Sequence, residues 1–509
     1  MAKEQEAQSA ETTAVQEDSG DMLSQLVAAT GSKKTEEVIG WLDRIIHDAD
    51  QETSGLRLDK KTAQAIDERV AEIDAFLSKE VNKVLHHEKF QKLEGSWRGL
   101  QQLVENSLLG SDLRIQILDI SKDELKEDMK NDFQRTEMYK KIYTKNYNQL
   151  GGIPLGTIVG DFEFSHAATD VNTLKRVAQI CAVSHCPFVT SPSPKLFGIP
   201  EGKGWEVLED MSDKAIENRF LNTSVAEMID WRDFREMEDS RYVAMCLPKA
   251  MARRPYGNGD SEEKVEYFDF QEFDLTDAGV AEQTEVKEYC WTNAAYSMAR
   301  CMADAFAFHG WAVNIRGLES GGKVDELPIH TFESEYSDVR AQCPTQVPLP
   351  MNKDAILGHV GFLPLLYELN SAHAVFIGGQ TVHKPKKYSA DAAGQQATAN
   401  ENLSARLPYI MAVSRAAHAL QPMLRIQLGQ SKEASQIEEY IHGWFVKNYV
   451  TASNSNERAK AEKPFAHAEI SVEEDPTNPG VYNVQCNLRP HFQVEEINMS
   501  MSLVASAGE

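Results

Sequence analysis

The sequence predicts a mixed α/β fold divided over several domains, and three observations lead to this prediction. With 509 residues, of which 42% are hydrophobic, the chain is too long for one ordinary core. Between residues 113 and 191, the periods of strands and helices alternate in the order β-α-β-α-β. Beyond Arg406, two helical stretches precede two strand-like runs joined by a turn. We therefore expect an N-terminal arm over residues 1–60, a main α/β part over residues 61–390 and a C-terminal helix and hairpin part over residues 391–509.

The N-terminal arm is expected to be acidic and flexible, and to order only on a partner. Residues 1–20 are rich in Glu, Gln, Ala, Ser and Thr, so they cannot bury enough apolar surface to stay folded alone. After the arm, apolar residues recur at helical spacing from Ile66 to Val104, which predicts one long amphipathic helix or two in line. Gly95 and Gly99 interrupt this pattern and indicate a joint or a close helix contact.

The main part is expected to begin with a largely parallel or mixed sheet covered by helices. Ser121 and Glu124 have the spacing of a capping box, which predicts the start of a helix. Around this helix, strands are predicted over residues 113–117, 155–164 and 187–191, with a second helix over residues 171–182. Alternation of this kind is typical of sheets whose strands are connected through helices.

The middle of the chain is less regular, and we expect it to include a surface-exposed portion. Its patterns predict strands over residues 242–247, 311–316 and 374–377, and helices over residues 288–309 and 356–369. Residues 389–400 are small and polar, which predicts a linker or a surface loop. Two more helices are predicted over residues 406–428 and 433–450.

The last forty residues or so contain a predicted β-hairpin. Two runs of alternating character, residues 465–472 and 481–488, flank a turn sequence with two prolines and a glycine. The residues expected on these strands are Phe465, Ala466, Ala468, Ile470, Val472, Val481, Val484 and Leu488. A ribbon at this place exposes unpaired backbone groups, so it either packs on its own core or accepts a strand from another chain. The pattern alone leaves both possibilities open.

Composition excludes some classes of protein. The chain has 52 basic and 78 acidic residues and a net charge of −26, which argues against a nucleic-acid or anionic-membrane surface. No basic segment followed by an apolar run opens the sequence, and the most apolar later stretch, residues 362–379, contains charged residues. Seven scattered cysteines without a close pair indicate reduced thiols. We therefore expect a cytoplasmic protein without a membrane insertion.

A catalytic site is not predicted. Residues 317–323 nearly fit a phosphate-binding loop, but Val324 lacks the hydroxyl that would bind Mg²⁺ and Pro328 follows where a helix should begin. A glycine-rich turn is the preferred interpretation. The histidines and cysteines do not have the spacing of a metal site. We expect no catalytic residue, no cofactor, no metal and no enzymatic activity.

A basic cluster stands out in this acidic chain. Lys384, Lys386 and Lys387 fall within five residues, next to the end of a predicted strand. The cluster either serves solubility or forms one half of a charge pair with a neighbouring subunit, since complementary patches fix the register between chains.

Several segments resemble one protein family. In order, they are residues 95–100 (GSWRGL), 247–249 (LPK) with 253–257 (RRPYG), 311–317 (WAVNIRG), 344–346 (PTQ), 361–364 (GFLP), 374–378 (AVFIG) with 384–388 (KPKKY), and 488–492 (LRPHF). Together they are similar to the large subunit of the bacterial type VI secretion contractile sheath, the TssC or VipB family. Any one segment alone would be a weak match, but a collinear set of this length is specific.

The resemblance implies a multi-domain contractile-tail-sheath-like fold and a structural role. Members of the family pair with a small sheath subunit of the TssB or VipA type, and copies of the pair stack into a helical tube around an inner tube of Hcp on a baseplate. Contraction propels the inner tube into a target cell, and the ATPase ClpV disassembles the sheath, chiefly through the small subunit. A helical tube needs contacts that repeat without closing into a ring, and contraction needs two packings of the same subunits. For such a tube we hypothesise that the hairpin strands form a sheet with terminal strands of neighbouring subunits, and that lysines 384, 386 and 387 are candidates for the basic side of a latch between subunits.

Two alternatives stay open from the sequence. One is the sheath of another contractile injection particle or of a phage tail, which needs no separate small subunit. The other is a cytosolic enzyme that uses residues 317–323 to bind a phosphorylated ligand.

Overall fold

The computed structural model describes residues 60–107, 113–149, 151–200, 203–257, 270, 272, 289–333, 339–369, 371–428, 434–474 and 482–491. The chain divides into two compact units, Met1–Ile73 and Asp74–Glu509. The described residues form a mixture of helices and strands, which confirms the predicted fold class. Among these residues, every helix is too short or too polar to cross a membrane.

The helices occur along the whole described chain. They are α1 (Lys60–Leu85), α2 (Glu88–Asn106), α3 (Lys122–Asp128), α4 (Glu137–Tyr139), α5 (Ala168–Ser184), α6 (Glu206–Asp210), α7 (Asp213–Leu221), α8 (Ile229–Glu236), α9 (Ala294–His309), α10 (Met351–His359), α11 (Ala392–Ser404), α12 (Leu407–Leu428), α13 (Ala434–Tyr449) and α14 (Glu457–Glu462). A π-helical stretch, Lys140–Tyr147, continues α4, and short 3₁₀ turns cover Phe133–Arg135, Pro194–Phe197, Ala226–Met228 and Glu238–Tyr242.

In the described part of the chain, the strands form one main sheet and three two-stranded ribbons. They are β1 (Ile158–Phe164), β2 (Phe188–Pro192), β3 (Val243–Leu247), β4 (Ala250–Met251), β5 (Trp291–Thr292), β6 (Lys323–Val324), β7 (Thr331–Glu333), β8 (Val339–Ala341), β9 (Leu363–Tyr367), β10 (Ala374–Phe376), β11 (Phe465–Glu474) and β12 (Tyr482–Pro490). The main sheet has the order β1-β2-β3-β9-β10-β6, and the ribbons pair β4 with β5, β7 with β8 and β11 with β12.

The main sheet is mixed, and helices cover both of its faces. Strands β1, β2, β3 and β9 are parallel, whereas β10 runs antiparallel to β9 and β6. In β3, Val243, Met245 and Leu247 enter one hydrophobic core together with residues of α5 and α8. The intervening Ala244 and Cys246 enter a second core with residues of α9 and α12. Burial of both faces explains why β3 is a continuous apolar run in the sequence.

The two glycines of α2 make a close contact with the rest of the domain. A Cβ atom at Gly95 would lie 2.4 Å from the carbonyl oxygen of Trp291, and one at Gly99 would lie 2.1 Å from Oγ1 of Thr292. The break between α1 and α2 lies instead at residues 86–87, where the His87 side chain accepts a hydrogen bond from the N–H of Lys89. The sequence pattern left a joint and a close contact open, and the structure has the close contact.

A buried ionic network holds α2 against the loop that follows β4. Nε of Arg253 lies 2.5 Å from Oε1 of Glu94, and Nη1 lies 2.5 Å from Oε2 of Glu272. Burial acts to raise the pKa of Glu272, but hydrogen bonds from His86 and Arg253 outweigh it and lower that pKa. The opposite charges of Arg253 and Glu272 neutralise each other, which compensates for their burial.

A third hydrophobic core lies under the C-terminal hairpin. Apolar residues of α12 and α13 pack there against strand β11 and against Trp311. The ring centroids of Trp311 and Tyr449 lie 4.8 Å apart, and those of Phe445 and Phe465 lie 5.5 Å apart. The predicted C-terminal combination of helices with a hairpin is confirmed.

Three predicted elements were wrong. Residues 311–316 form a turn, because Trp311 fills the third core while Ile315 fills the second. The predicted helix over residues 356–369 ends at His359, where Gly361 takes a φ of +92°, and the chain continues as β9. Residues 389–400 are not a linker, because α11 begins at Ala392 in a segment rich in alanine and glutamine, both good helix formers.

A fourth prediction failed in a different way. Residues 113–117 were expected to form a strand, and the chain there runs without a turn or bend. In the described part of the chain, however, no strand pairs with it.

Candidate assembly interfaces

The C-terminal hairpin packs one face on its own domain. Strands β11 and β12 pair antiparallel, from Phe465 opposite Pro490 to Glu474 opposite Tyr482, with a bulge between Phe465 and His467. Of the predicted strand residues, Phe465, Ala468, Ile470 and Val472 are buried, whereas Ala466, Val484 and Leu488 are half-buried. Val481 lies outside the described residues. One face of the hairpin therefore packs on the core of its own domain. Whether a further strand can pair with the hairpin depends on its two outer edges.

The chain itself covers the outer edge of β11. The backbone N–H of Val472 donates to Oε2 of Glu438 at 2.9 Å, and Nε2 of His442 lies 3.2 Å from the carbonyl oxygen of Ala468. Farther along, the N–H of Thr451 donates to the carbonyl of Phe465 at 3.0 Å. Because alternate residues of a strand point their backbone groups to the same side, Ala468 and Val472 both face α13 and away from β12.

The outer edge of β12 has no partner among the residues that the structure describes. Val484, Cys486 and Leu488 lie opposite Val472, Ile470 and Ala468, respectively. Residues directly opposite each other in an antiparallel pair direct their backbone groups either both inward or both outward. Since those of Ala468 and Val472 point outward, the N–H and C=O groups of Val484, Cys486 and Leu488 do so too. Within the described residues, no strand or side chain bonds to these groups.

Two of the three lysines in the cluster form ion pairs within the chain. Nζ of Lys384 lies 2.9 Å from Oε1 of Glu236, and Lys386 forms an ion pair with Glu238. A hydrogen bond from Lys384 lowers the pKa of Glu236, and a hydrogen bond to Glu238 raises the pKa of Lys386. Lys387 is exposed and has no ion pair within the part of the chain that the structure describes. Exposed pairs of this kind contribute little to stability, so they can exchange partners.

Sequence reasoning missed an exposed apolar stripe on the first two helices. Leu77 and Val84 of α1 are 39% and 57% exposed, and Leu93 and Trp97 of α2 are 56% and 61% exposed. The helical period was visible in the sequence, but it did not show which side faces the core. Gly95 and Gly99 face the core in α2, because only residues without a Cβ fit that contact, so larger side chains are left outside.

The glycine-rich loop over residues 317–323 uses its own backbone donors. The N–H of Gly317 donates to the carbonyl of Phe376 at 2.7 Å, and that of Gly322 donates to the carbonyl of Gly317 at 3.0 Å. Nζ of Lys323 lies 2.8 Å from Oδ1 of Asp325. A phosphate-binding loop needs free amide groups, and two amides of this loop are already engaged in backbone hydrogen bonds.

One set of side chains could be considered for a metal ion. Glu238, His383 and Glu401 bring potential ligand atoms within 4.8 Å of one another. However, Arg241 contacts both carboxylates, and Lys386 contacts Glu238. The protein's own cations already neutralise these carboxylates and would repel a divalent ion, so the residues do not fit a metal.

Two family models match the chain. The first, described as the EvpB/VC_A0108 tail sheath N-terminal domain of VipB, matches residues 67–383. The second, described as the EvpB/VC_A0108 tail sheath gpW/gp25-like domain, matches residues 396–507. The chain is also 39% identical over 448 residues to the type VI secretion system sheath protein TssC1 of Pseudomonas aeruginosa, and the alignment covers 87% of this chain and 86% of the relative.

Proposed function

The chain belongs to the VipB family of tail sheath proteins and is a structural large subunit of the type VI secretion sheath, and on this premise we propose how it assembles. As a member of this family, it assembles with a small sheath subunit and with copies of itself. We propose that the small subunit is of the TssB or VipA type, and that the pairs form a helical tube in the cytoplasm around the Hcp inner tube.

The open edge of β12 supports this proposal. Because Glu438 and His442 cover the edge of β11, the hairpin can accept a further strand on one side only. A contact between an edge on one subunit and a different segment of the next is heterologous, and such contacts repeat into helical assemblies when they do not close into a ring. We propose that terminal strands of neighbouring subunits add to residues 484–488.

Strand addition also suits a sheath that contracts. Each backbone hydrogen bond contributes about 0.5–1.5 kcal/mol net, and the contribution is repeated at every subunit. Such bonds are short-ranged, so a small sheet can move as a rigid body while the connecting arms bend. The proposed contraction leads from a metastable extended state to a contracted state of lower free energy. It therefore does not need to break the links between subunits.

The lysine cluster is proposed as a latch between subunits. Lys384 and Lys386 would exchange Glu236 and Glu238 for acidic groups of a neighbour, whereas Lys387 is available without an exchange. The remaining proposed partners are the baseplate and the ATPase ClpV, which we expect to act mainly through the small subunit. We propose that the chain itself performs no chemical reaction and needs no cofactor.

Electron microscopy of the coexpressed chains tests this function. The full chain is expressed alone and together with the small subunit encoded beside it. Hollow tubes that form only when both chains are present are the expected result. A discrete particle under the same conditions would contradict the proposal, and tubes formed by this chain alone would favour a sheath that needs no small subunit.

A further inference from the structure

His383 lies completely buried beneath the lysine cluster, and both of its ring nitrogens contact hydrogen-bond acceptors. Nδ1 lies 3.0 Å from the carbonyl oxygen of Met237 and 2.9 Å from Oγ of Ser240, and Nε2 lies 3.3 Å from Oε1 of Glu401. A carbonyl and a carboxylate can only accept, whereas a neutral imidazole carries a single N–H group. Only the doubly protonated ring can donate to both Met237 and Glu401.

Opposing influences act on this ring. Burial and the positive charge of Arg241 lower the pKa of His383, whereas its hydrogen bonds to Glu401 and to the Met237 carbonyl raise it, and the net effect is a lowering. His383 is therefore mainly neutral at pH 7, and one of its two acceptors lacks a donor. Because an imidazole ordinarily titrates near pH 6.5, a change in the charges around it is enough to alter its protonation.

The charges around the ring balance while Lys386 is in place. Glu238, His383 and Glu401 bring side-chain nitrogen and oxygen atoms within 4.8 Å of one another. Arg241 contacts both carboxylates, and Lys386 pairs with Glu238. Two carboxylates thus face two fixed cations, so a further positive charge on the imidazole has no anion left to neutralise it.

Lys386 is the cation of this network that can leave it most easily. Arg241 is half-buried and bridges the two carboxylates, whereas Lys386 is exposed and contacts one of them. Other titratable and charged groups near the network are Asp239, Tyr409, the buried Arg235 and the ion pair of Glu236 with Lys384. An exposed ion pair contributes little to stability, so the ammonium group of Lys386 can exchange its partner.

We propose that His383 takes up a proton from the solvent when Lys386 leaves Glu238 for an acidic group of a neighbouring subunit. This inference rests on the proposed function, which supplies the latch and the neighbour. Without the ammonium group of Lys386, the two carboxylates of the network face Arg241 alone. An imidazolium at His383 then restores the balance of charge and donates to both of its acceptors.

Closing of the latch and protonation of His383 therefore favour each other. The latched state has the higher His383 pKa and binds more protons, so a fall in pH shifts the equilibrium toward it. The pKa of His383 in the free chain lies below its ordinary value near 6.5, so the effect develops as the pH falls through and below that value. Tube formation should accordingly become stronger over this range.

A titration of His383 by NMR tests the coupling in the isolated full chain. The protein is labelled with ¹³C-histidine, and the signal missing from His383→Gln assigns the ring. Lys386→Met removes the ammonium group, as its departure to a neighbour would. Lys140→Met is the matched control, because it removes the ammonium group of another exposed pair, in which Nζ lies 2.6 Å from Oε1 of Glu137.

The midpoint of the His383 titration should rise by about half a pH unit or more in Lys386→Met and stay unchanged in Lys140→Met. Glu238→Gln should shift the midpoint in the opposite direction, because it removes an anion beside the ring. Melting temperatures show that each variant folds. An unchanged midpoint in Lys386→Met, an equal rise in the control, or a rise in Glu238→Gln would each overturn the inference.

Electron microscopy of the heterodimer between pH 8 and pH 6 tests the consequence for assembly. The number of tubes from the unsubstituted chain should increase about threefold or more as the pH falls, since half a pH unit corresponds to about a factor of three in an equilibrium constant. His383→Gln should show a smaller change. A tube number that is constant or falls toward pH 6 would contradict the coupling. If tubes are absent at every pH, the proposed function fails instead, and the NMR titration alone decides whether His383 responds to Lys386.

Discussion

Glu438 of α13 accepts a hydrogen bond from the backbone N–H of Val472, with its Oε2 atom 2.9 Å from the nitrogen. Together with His442, which lies 3.2 Å from the carbonyl oxygen of Ala468, this side chain covers the edge of β11 beside the helix. The contact makes the hairpin asymmetric, because among the described residues the outer edge of β11 is covered and that of β12 is not. The proposed assembly through the hairpin would therefore have one direction, as a helical tube requires.

The first prediction concerns the hydrogen bond between Glu438 and the backbone of Val472. Glu438→Leu should lower the free energy of unfolding by about 1–3 kcal/mol, because a half-buried backbone donor loses its acceptor. Glu438→Gln keeps a side-chain oxygen at the same place and should change stability much less. Urea unfolding of both variants measures the difference. Equal stability of the Leu and Gln variants would show that the contact does not cover the edge.

The second prediction concerns the close contact of α2. Gly99→Ala should destabilise the domain, although alanine favours helices, because the new Cβ would lie 2.1 Å from Oγ1 of Thr292 and 2.5 Å from a ring carbon of Tyr296. Gly443→Ala in α13 is the matched control, since nothing lies within 4 Å of its Cβ. The control should be neutral or stabilising by up to about 1 kcal/mol. Thermal melts that rank the two variants in the opposite order would contradict the described contact.

The third prediction concerns acid stability. Burial acts to raise the pKa of Asp170, but the N–H of Ser165 and the ammonium groups of Lys122 and Lys126 outweigh it and hold that pKa at about 2. Because the folded pKa lies below the unfolded value near 4, this carboxylate stabilises the fold above pH 4. That stabilisation, about 2 kcal/mol, should be lost as the pH falls from about 4 to about 2.

Asp170→Asn tests this assignment. The variant should be less stable than the unsubstituted chain at pH 7. The difference between their free energies of unfolding should decrease steadily below pH 4. Denaturant unfolding across this range gives both values. A gap that stays constant with pH would mean that the charge of Asp170 does not stabilise the fold.

The fourth prediction separates the three lysines. Lys387→Glu should reduce tube formation or alter contraction while the melting temperature of the isolated chain stays the same, because this lysine has no ion pair within the described chain. Lys384→Glu should in addition lower the melting temperature slightly, since it faces Glu236 at 2.9 Å in the parent structure. Tubes of normal number, length and contraction from Lys387→Glu would argue against the latch.

Much of the fold was predictable because local patterns agree with the tertiary structure. The capping box at Ser121 and Glu124 forms as expected, and β1, β2, α5 and the hairpin appear near their predicted positions. Apolar residues recur with a period of two in a strand, or of 3.6 in a helix, wherever one face of that element is buried. The family was also predictable, because its segments are spread in order along the chain.

Each feature that the sequence did not predict has a physical reason. The apolar run over residues 356–369 has no period that distinguishes a buried helix from a buried strand, and Gly361 decides between them through its positive φ. At the interfaces, the sequence could not show that Glu438 covers one strand edge or that Glu236 pairs with Lys384, because these contacts join residues far apart in the chain. The exposed stripe of α1 and α2 was missed because glycines, and not large residues, face the core.

The most direct test of assembly through the hairpin is electron microscopy of the heterodimer with Cys486→Pro. Proline removes the outward N–H at the centre of the open edge without removing a bond to β11, and edge strands tolerate it. Cys486→Ala keeps that N–H and is the control. Deleting the whole hairpin would be less informative, since Phe465 and Ile470 belong to the third core.

We predict that Cys486→Ala forms tubes like the unsubstituted chain, and that Cys486→Pro forms soluble heterodimers with at least tenfold fewer tubes. Tubes of normal number and length from Cys486→Pro would contradict assembly through the open edge of β12.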